Sequence, residues 1–282
     1  MISLVVATKG RVAEIGALLA SVAAQEPPFE IILVDQNGDG RLDALAAEWA
    51  PRLPLTHLRM AAANANAGRN LGLRHARGAL VAFPDDDCLL KPGTLSQVRA
   101  AFADPALAVL TGPAEAPGGG LGSGRWRTEG GPITLENVWT SVIEFNLWLR
   151  REVALALGGF DEGMGPGARF GSAEGNDLVC RALAVGHRAR YDPALRVVHP
   201  DKRLTPEAVE RAGRYALGLG FALRRHRVPA ATWAPFLYRP LAGAALSLLR
   251  GRGLHARYYW ATAKGRWEGM RAAPLPPPGP LA

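Results

Sequence analysis

Three consecutive carboxylates, Asp85, Asp86 and Asp87, follow directly on the apolar run Leu80-Val81-Ala82-Phe83. That run suits a short strand buried on both faces, and in open α/β sheets ligands bind at the carboxyl ends of strands. Three negative charges in such a crevice require a cation. A hard divalent ion takes one or two protein carboxylates and fills its remaining positions with water and phosphate oxygens, so a metal-bridged diphosphate is the expected ligand. The competing reading is a solvated acidic turn ahead of Pro92-Gly93, because turns favour Asp. Other groups able to do chemistry are spread along the chain. Asp35 closes the run Glu30-Ile31-Ile32-Leu33-Val34, Asp161 lies in the glycine-dense stretch 158–167, Glu174 and Asp177 open a helix behind it, and His199 ends Val197-Val198-His199-Pro200. Acids in a first helical turn also complement the helix dipole without any further role.

The elements that must position these groups alternate. Leu4 to Ala7 reads as a strand ending at Thr8-Lys9-Gly10-Arg11, and Ile15, Leu18, Leu19 and Val22 continue at helical spacing. Residues 30–35 form a second strand, Leu42 to Trp49 a helix, Leu55 to Arg59 a weaker strand, and a helix closing at Arg77-Gly78 precedes the acid-tipped strand. A short helix over 97–102 and strands over 108–111, 143–149, 187–192 and 195–199 follow. Strands alternating with helices predict an α/β fold with a mixed, mostly parallel sheet flanked by helices. Neither G-x-G-x-x-G nor G-x-x-x-x-G-K-[ST] occurs, so a dinucleotide fold and a P-loop are not supported. The Gly- and Pro-rich segment 112–132, carrying Arg125, Trp126 and Arg127, is expected to be a mobile lid over the site, against a floppy insertion.

Charge divides the chain unevenly. Of its 33 basic and 25 acidic side chains, residues 205–282 carry 12 and 3, so the net +8 resides in the last quarter. A basic extension of this kind predicts a phosphate-rich partner. Two cysteines, Cys88 and Cys180, make no disulfide framework and no zinc spacing, which points to a reducing compartment. The N-terminus carries no signal-peptide pattern and no run reaches the length of a membrane span, the nearest, 233–249, being interrupted at Arg239-Pro240. A cytoplasmic location is expected.

Taken together in this order and spacing, Asp35, Asp85 to Asp87, Gly159-Phe160-Asp161-Glu162, Glu174 to Asp177 and His199 resemble a family 2 glycosyltransferase with the GT-A fold. The resemblance covers residues 2–203 and continues more loosely to the end. It implies a GT-A catalytic domain over 1–203, with a nucleotide-binding half (1–111) and an acceptor and catalytic half (112–203), followed by a C-terminal helical extension (204–282). The implied reaction moves a sugar, with inversion, from a nucleotide-diphosphate donor to a hydroxyl on a glycan or lipid-linked acceptor, in cell-surface glycan synthesis. Thr8, Arg11 and Asp35 match the family's nucleotide-pocket positions, Arg69 with Asn70 its Arg-Asn pair, and Asp85 to Asp87 its D-x-D motif. There Asp86 is the expected ribose partner and Asp87 a ligand of a divalent cation, Mn or Mg, completed by His199. Many relatives carry the base as the second acid of a Glu-Asp or Asp-Asp pair. Here that pair reads Glu174-Gly175, which leaves Glu174, Asp177 and Asp161 as candidates, with Glu174 favoured.

After Thr205, apolar residues at 209, 212, 216, 219 and 223 mark an amphipathic helix. Aliphatic and aromatic residues among Arg250, Arg252, Arg257, Lys264 and Arg266 fit a helix lying peripherally on the inner, anionic face of a membrane. A helical cap on the catalytic domain is the alternative, and 274–280 reads as a disordered Pro-rich end. Two other functions compete: a sugar-phosphate nucleotidyltransferase, disfavoured because no Gly-rich triphosphate loop follows the first strand, and a sugar-nucleotide-binding protein without transfer activity. No nucleic-acid partner is expected.

Overall fold

The computed structural model describes residues 1–122, 124–201 and 203–281. The chain runs β1 (Ile2–Thr8), α1 (Ala13–Ala23), β2 (Phe29–Asp35), α2 (Asp43–Trp49), β3 (Leu55–Arg59), α3 (Ala65–His75), β4 (Leu80–Ala82), β5 (Leu89–Leu90), α4 (Thr94–Ala101), β6 (Leu107–Thr111) and β7 (Ala114–Glu115). It continues through β8 (Gly131–Pro132), β9 (Leu147–Arg150), α5 (Arg151–Ala156), α6 (Glu174–Ala184), β10 (Arg188–Tyr191) and β11 (Val197–Val198) to three long helices, α7 (Pro206–Arg225), α8 (Ala230–Leu249) and α9 (Gly253–Arg271). Among the described residues the main sheet has the order β3-β2-β1-β4-β9-β6-β10-β8, and a small second sheet the order β5-β11-β7. Strands β1 to β4 run parallel to one another, and β9 enters antiparallel between β4 and β6. Strand β1 is buried along almost its whole length, as its continuous apolar run requires. The sheet separates two apolar layers, one holding α1 and α4 residues such as Ile15 and Val98, the other holding Leu73 of α3 and Leu178 of α6.

This geometry puts the carboxyl ends of β1, β2 and β4 along one edge, where Thr8, Asp35 and the triplet stand. Three expectations change. The strand expected over 143–149 is confined to β9, because residues 144–146 form a 3₁₀ turn in which buried Asn146 donates to the carbonyls of Pro113 (3.1 Å) and Leu195 (2.8 Å). The described part of the 112–132 segment is packed where a mobile lid was expected, with β8 paired to β10, Trp126 packed between the two layers and Tyr191 Oη donating to the Arg127 carbonyl at 3.1 Å. The Pro-rich end is ordered by contact: Leu281 N donates to Leu155 O at 3.0 Å, Arg225 Nη2 to Pro276 O at 3.3 Å, and Leu275 and Leu281 pack on the core.

Helix α7 starts at Thr205, whose hydroxyl accepts from Ala208 N at 3.2 Å, with Pro206 at the first helical position. It packs backbone to backbone on α9. A Cβ at Gly269 would lie 2.1 Å from Leu217 O, and one at Gly265 2.3 Å from Gly213 O, so the two helices meet this closely only through glycine. Phe221 and Ala222 of α7 pack against Met164 and Phe170 of the glycine-dense segment, which joins the C-terminal helices to the sheet domain.

Candidate active site

At the strand ends the acidic triplet is held by two guanidinium groups. Thr8 Oγ1 donates to Asp86 Oδ2 at 2.6 Å, and Arg11 Nη1 lies 2.5 Å from both Asp86 Oδ1 and Asp87 Oδ2. Burial pushes the Asp86 carboxyl up, opposed by the Thr8 hydroxyl and the Arg11 charge. Arg69, on the second turn of α3, is buried and lies over the Phe160 ring. Its Nη2 pairs with Asp85 Oδ1 at 2.8 Å, and its Nη1 reaches Glu174 Oε1 at 3.1 Å and Asn66 Oδ1 at 2.9 Å. Burial alone would weaken the guanidinium's hold on its proton, but the charges of Asp85, Glu174 and Glu144 reverse that and raise its pKa.

His199, just beyond β11, stacks on Phe145 with ring centroids 4.5 Å apart and planes at 8°. Its Nδ1 lies 2.8 Å from the Pro200 carbonyl, and Nδ1–H donation there leaves the Nε2 lone pair facing Asp87 Oδ1 at 3.4 Å. That Oδ1 is buried and has no hydrogen-bond donor. Donor atoms of Asp85, Asp87 and His199 all lie within 4.8 Å of one another. Two carboxylates and one imidazole, with an unsatisfied buried oxygen aimed among them, fit a divalent cation such as Mn or Mg.

Glu174 lies across Arg69 from this cluster. It opens α6 behind Ala173, a residue in the left-handed region (φ 66°), and is 1% exposed. Its Oε2 is buried without a partner, and burial followed by the nearby Glu144 charge pushes its pKa up to about 8 despite Arg69. The triplet, Glu144, Glu174 and His199 all line one cleft of about 1180 Å³. Its far wall comes from the C-terminal helices, with Arg211 and Tyr215 of α7 and Tyr258 and Arg266 of α9. Such a volume is larger than an ordinary single-ligand pocket.

The model of the family described as Glycosyl transferase family 2 matches residues 3–155, more than half of the chain. The protein belongs to the family 2 glycosyltransferases. No curated protein sequence matches it significantly. Among solved structures, S. aureus TarS 1-349 superposes with a TM-score of 0.62 at 18% identity, over 94% of this chain and 91% of that one. The same protein in complex with UDP-GlcNAc gives a TM-score of 0.61 at 19% identity, over 94% and 91%. The mannosyltransferase PcManGT from Pyrobaculum calidifontis, in complex with GDP-Man and Mn2+, gives 0.63 at 22% identity, over 97% and 76%. These likenesses establish the GT-A fold.

In this glycosyltransferase the structure brings together Thr8, Arg11, Arg69, Asp85, Asp86, Asp87, Glu174 and His199. Three expected site residues do not line this cleft. Asp35 is fully buried, its Oδ1 accepting from Asn37 N and Nδ2 at 2.8 and 2.7 Å and its Oδ2 lying 3.2 Å from His57 Nε2, while its neighbour Gln36 lines the cleft. Asp161 pairs with Arg225 Nη1 at 2.5 Å and accepts from Gly163 N at 2.8 Å. Asp177 is enclosed by Arg181 Nε and His226 Nε2, both at 2.8 Å, and Arg225 Nη1 at 3.4 Å. Both acids anchor the end of α7 to the sheet domain and are absent from the cleft wall. Sequence reasoning missed Gln36, Glu144 and the cleft-facing side of α7. For α7 the signal existed: Arg211 and Tyr215 are four residues apart, hence on one helical face.

Proposed function

We propose that this glycosyltransferase moves a sugar from a nucleoside-diphosphate donor to a hydroxyl acceptor with inversion, dependent on a divalent cation, in the synthesis of a cell-surface glycan. The observation that carries this reading is the placement of the Asp85, Asp87 and His199 cluster and of Glu174 on opposite sides of Arg69 in one cleft. Asp85, Asp87 and His199 would hold the cation, which when bound neutralises the leaving diphosphate. Thr8 and Arg11 fix Asp86, poised for the donor's ribose, and Arg69 contributes a preorganised positive charge beside the phosphate position. The carboxylates at the Glu174 end are placed for the acceptor's proton. The residues divide into a catalytic unit over 1–203, its 1–111 half serving the nucleotide, and the helical extension. Complexes of the neighbours with UDP-GlcNAc and with GDP-Man and Mn2+ support a donor of this class.

The acceptor is a glycan or lipid-linked glycan, and the extension rests on the inner face of a membrane. Among the described residues no helix is long and apolar enough to cross a membrane. The support is a shallow apolar groove between α8 and α9 lined by Leu237, Leu241, Trp260 and Trp267 with Lys264, beside exposed Arg250, Arg252 and Arg257. Release of nucleoside diphosphate from UDP-GlcNAc or GDP-Man, with Mn²⁺ and with chelator, tests the reading. Cation-dependent release supports it, whereas pyrophosphate release from a nucleoside triphosphate and sugar phosphate, or donor binding without turnover, overturns it.

A further inference from the structure

We propose that Glu144 is the carboxylate that takes the acceptor's proton, with Glu174 as the second carboxyl of the pair. The inference rests on the transferase reading of the cleft and assigns a base that the Glu174-Gly175 departure had left open. Glu144 begins the 3₁₀ turn 144–146 and is half-buried in the cleft wall. Its neighbour Phe145 stacks on His199 at the cation cluster, and on its other side Glu144 abuts helix α6. The contact to α6 is at Gly175. A Cβ there would lie 3.2 Å from Glu144 Cα and 3.3 Å from its Cβ and N, so a side chain at 175 would press against residue 144. An acid at 175 would crowd this turn; this chain has glycine there and carries Glu144 in the cleft wall directly against that position.

The two carboxylates have unequal surroundings. Glu174 is enclosed, with Oε1 on Arg69 and Oε2 buried without a partner, and the charged or titratable groups around it are Arg69 from α3, Glu144 from the 3₁₀ turn and Tyr215 from α7. Burial and the Glu144 charge push it up to about 8, so near neutrality Glu174 holds a proton and is poorly suited to take another. The reacting bonds then balance. As the acceptor oxygen bonds to the anomeric carbon, the carbon–oxygen bond to the diphosphate breaks, its electron pair leaves with the nucleoside diphosphate, and the acceptor's hydroxyl proton passes to Glu144.

The test uses the full chain with Mn²⁺ and UDP-GlcNAc or GDP-Man, water serving as acceptor, and follows nucleoside-diphosphate release alongside calorimetric binding of UDP and GDP. Glu144→Gln should lower kcat by roughly 10²-fold or more with donor KM within about threefold, and Glu144→Asp should recover part of the loss. In Glu174→Gln the inflection near pH 8 in the wild-type profile should vanish, and the loss of kcat should be smaller than in Glu144→Gln. Full turnover by Glu144→Gln, or its loss in Glu174→Gln while Glu144→Gln stays active, overturns the assignment. If the wild type binds neither nucleotide with Mn²⁺, the transferase reading of the cleft has failed first; if it binds and turns over normally in every variant, only the Glu144 assignment has.

Discussion

His199 Nε2 faces Asp87 Oδ1 at 3.4 Å, although the two residues are 112 positions apart and on different sheets' ends. The imidazole is locked by stacking on Phe145 and by its Nδ1 contact to Pro200, and the Asp87 oxygen has no donor of its own. Removing either should therefore act on cation binding. Asp87→Ala is expected to lower turnover by roughly 10²-fold or more, and His199→Ala to shift the Mn²⁺ concentration giving half-maximal rate upward by about tenfold or more. Titration of turnover against Mn²⁺ measures both. An unchanged Mn²⁺ curve in both variants would falsify the cluster as a cation site.

Glu174 should make the fold less stable as pH rises. Its pKa of about 8 in the folded chain stands above the ordinary 4.5, so between those values the unfolded state releases a proton that the folded state keeps. The folded state then binds more protons, and stability falls with increasing pH across that window. Glu174→Gln removes the titrating group. The difference in Tm between about pH 5 and about pH 8 should be smaller in the variant than in the wild type, read by thermal melts in matched buffers.

Asp177 should act in the opposite sense. Burial would raise its pKa, but the His226 bond and the charges of Arg181 and Arg225 win and hold it below the usual range. Its contribution is present above the ordinary carboxylate pKa of 3.8 and is lost as acid carries the pH below that value through the lowered one. Breaking a buried pair of this kind by Asp177→Ala costs about 3–5 kcal/mol, which at this chain length lowers Tm by roughly 10 °C. A Tm change within about 2 °C would remove the anchoring role.

The outer face of α8 and α9 should govern membrane association. Trp260→Ala with Trp267→Ala removes two half-exposed rings, at 59% and 51%, without touching the α7–α9 glycine contacts. Binding to anionic phospholipid vesicles should weaken by about tenfold or more, given ~25 cal/mol for each Å² of apolar surface withdrawn from water. Wild-type binding should also fall as salt rises, because the basic residues are screened beyond a Debye length of about 8–10 Å. Co-sedimentation with anionic and neutral vesicles checks both effects; equal binding of wild type and variant sinks the assignment. Truncation before α7 is a poor test, since Phe221, Arg225 and His226 hold the core and two buried acids.

What the sequence determined by itself was local. The apolar runs before Thr8, Asp35 and Asp85 have the length and burial of central strands, and a polar group at the end of such a run must sit at a strand's carboxyl end whatever the rest of the chain does. Hence the sheet and the strand-end side of the cleft were legible. Which of the other carboxylates line the cleft was decided by tertiary structure, because it depends on charges brought from far along the chain. Asp161 and Asp177 carry the right chemistry, yet Arg225 and His226 arrive from 64 and 49 positions away and consume it in anchoring α7. A buried carboxylate matched by a cation is satisfied and turned from the cleft, whereas Glu174 keeps one buried oxygen without a partner and its pKa is raised by burial. The pairing of Glu144 with Gly175 had no local signature: it follows from a 3₁₀ turn meeting a helix at a glycine, and neither periodicity nor spacing encodes such a contact.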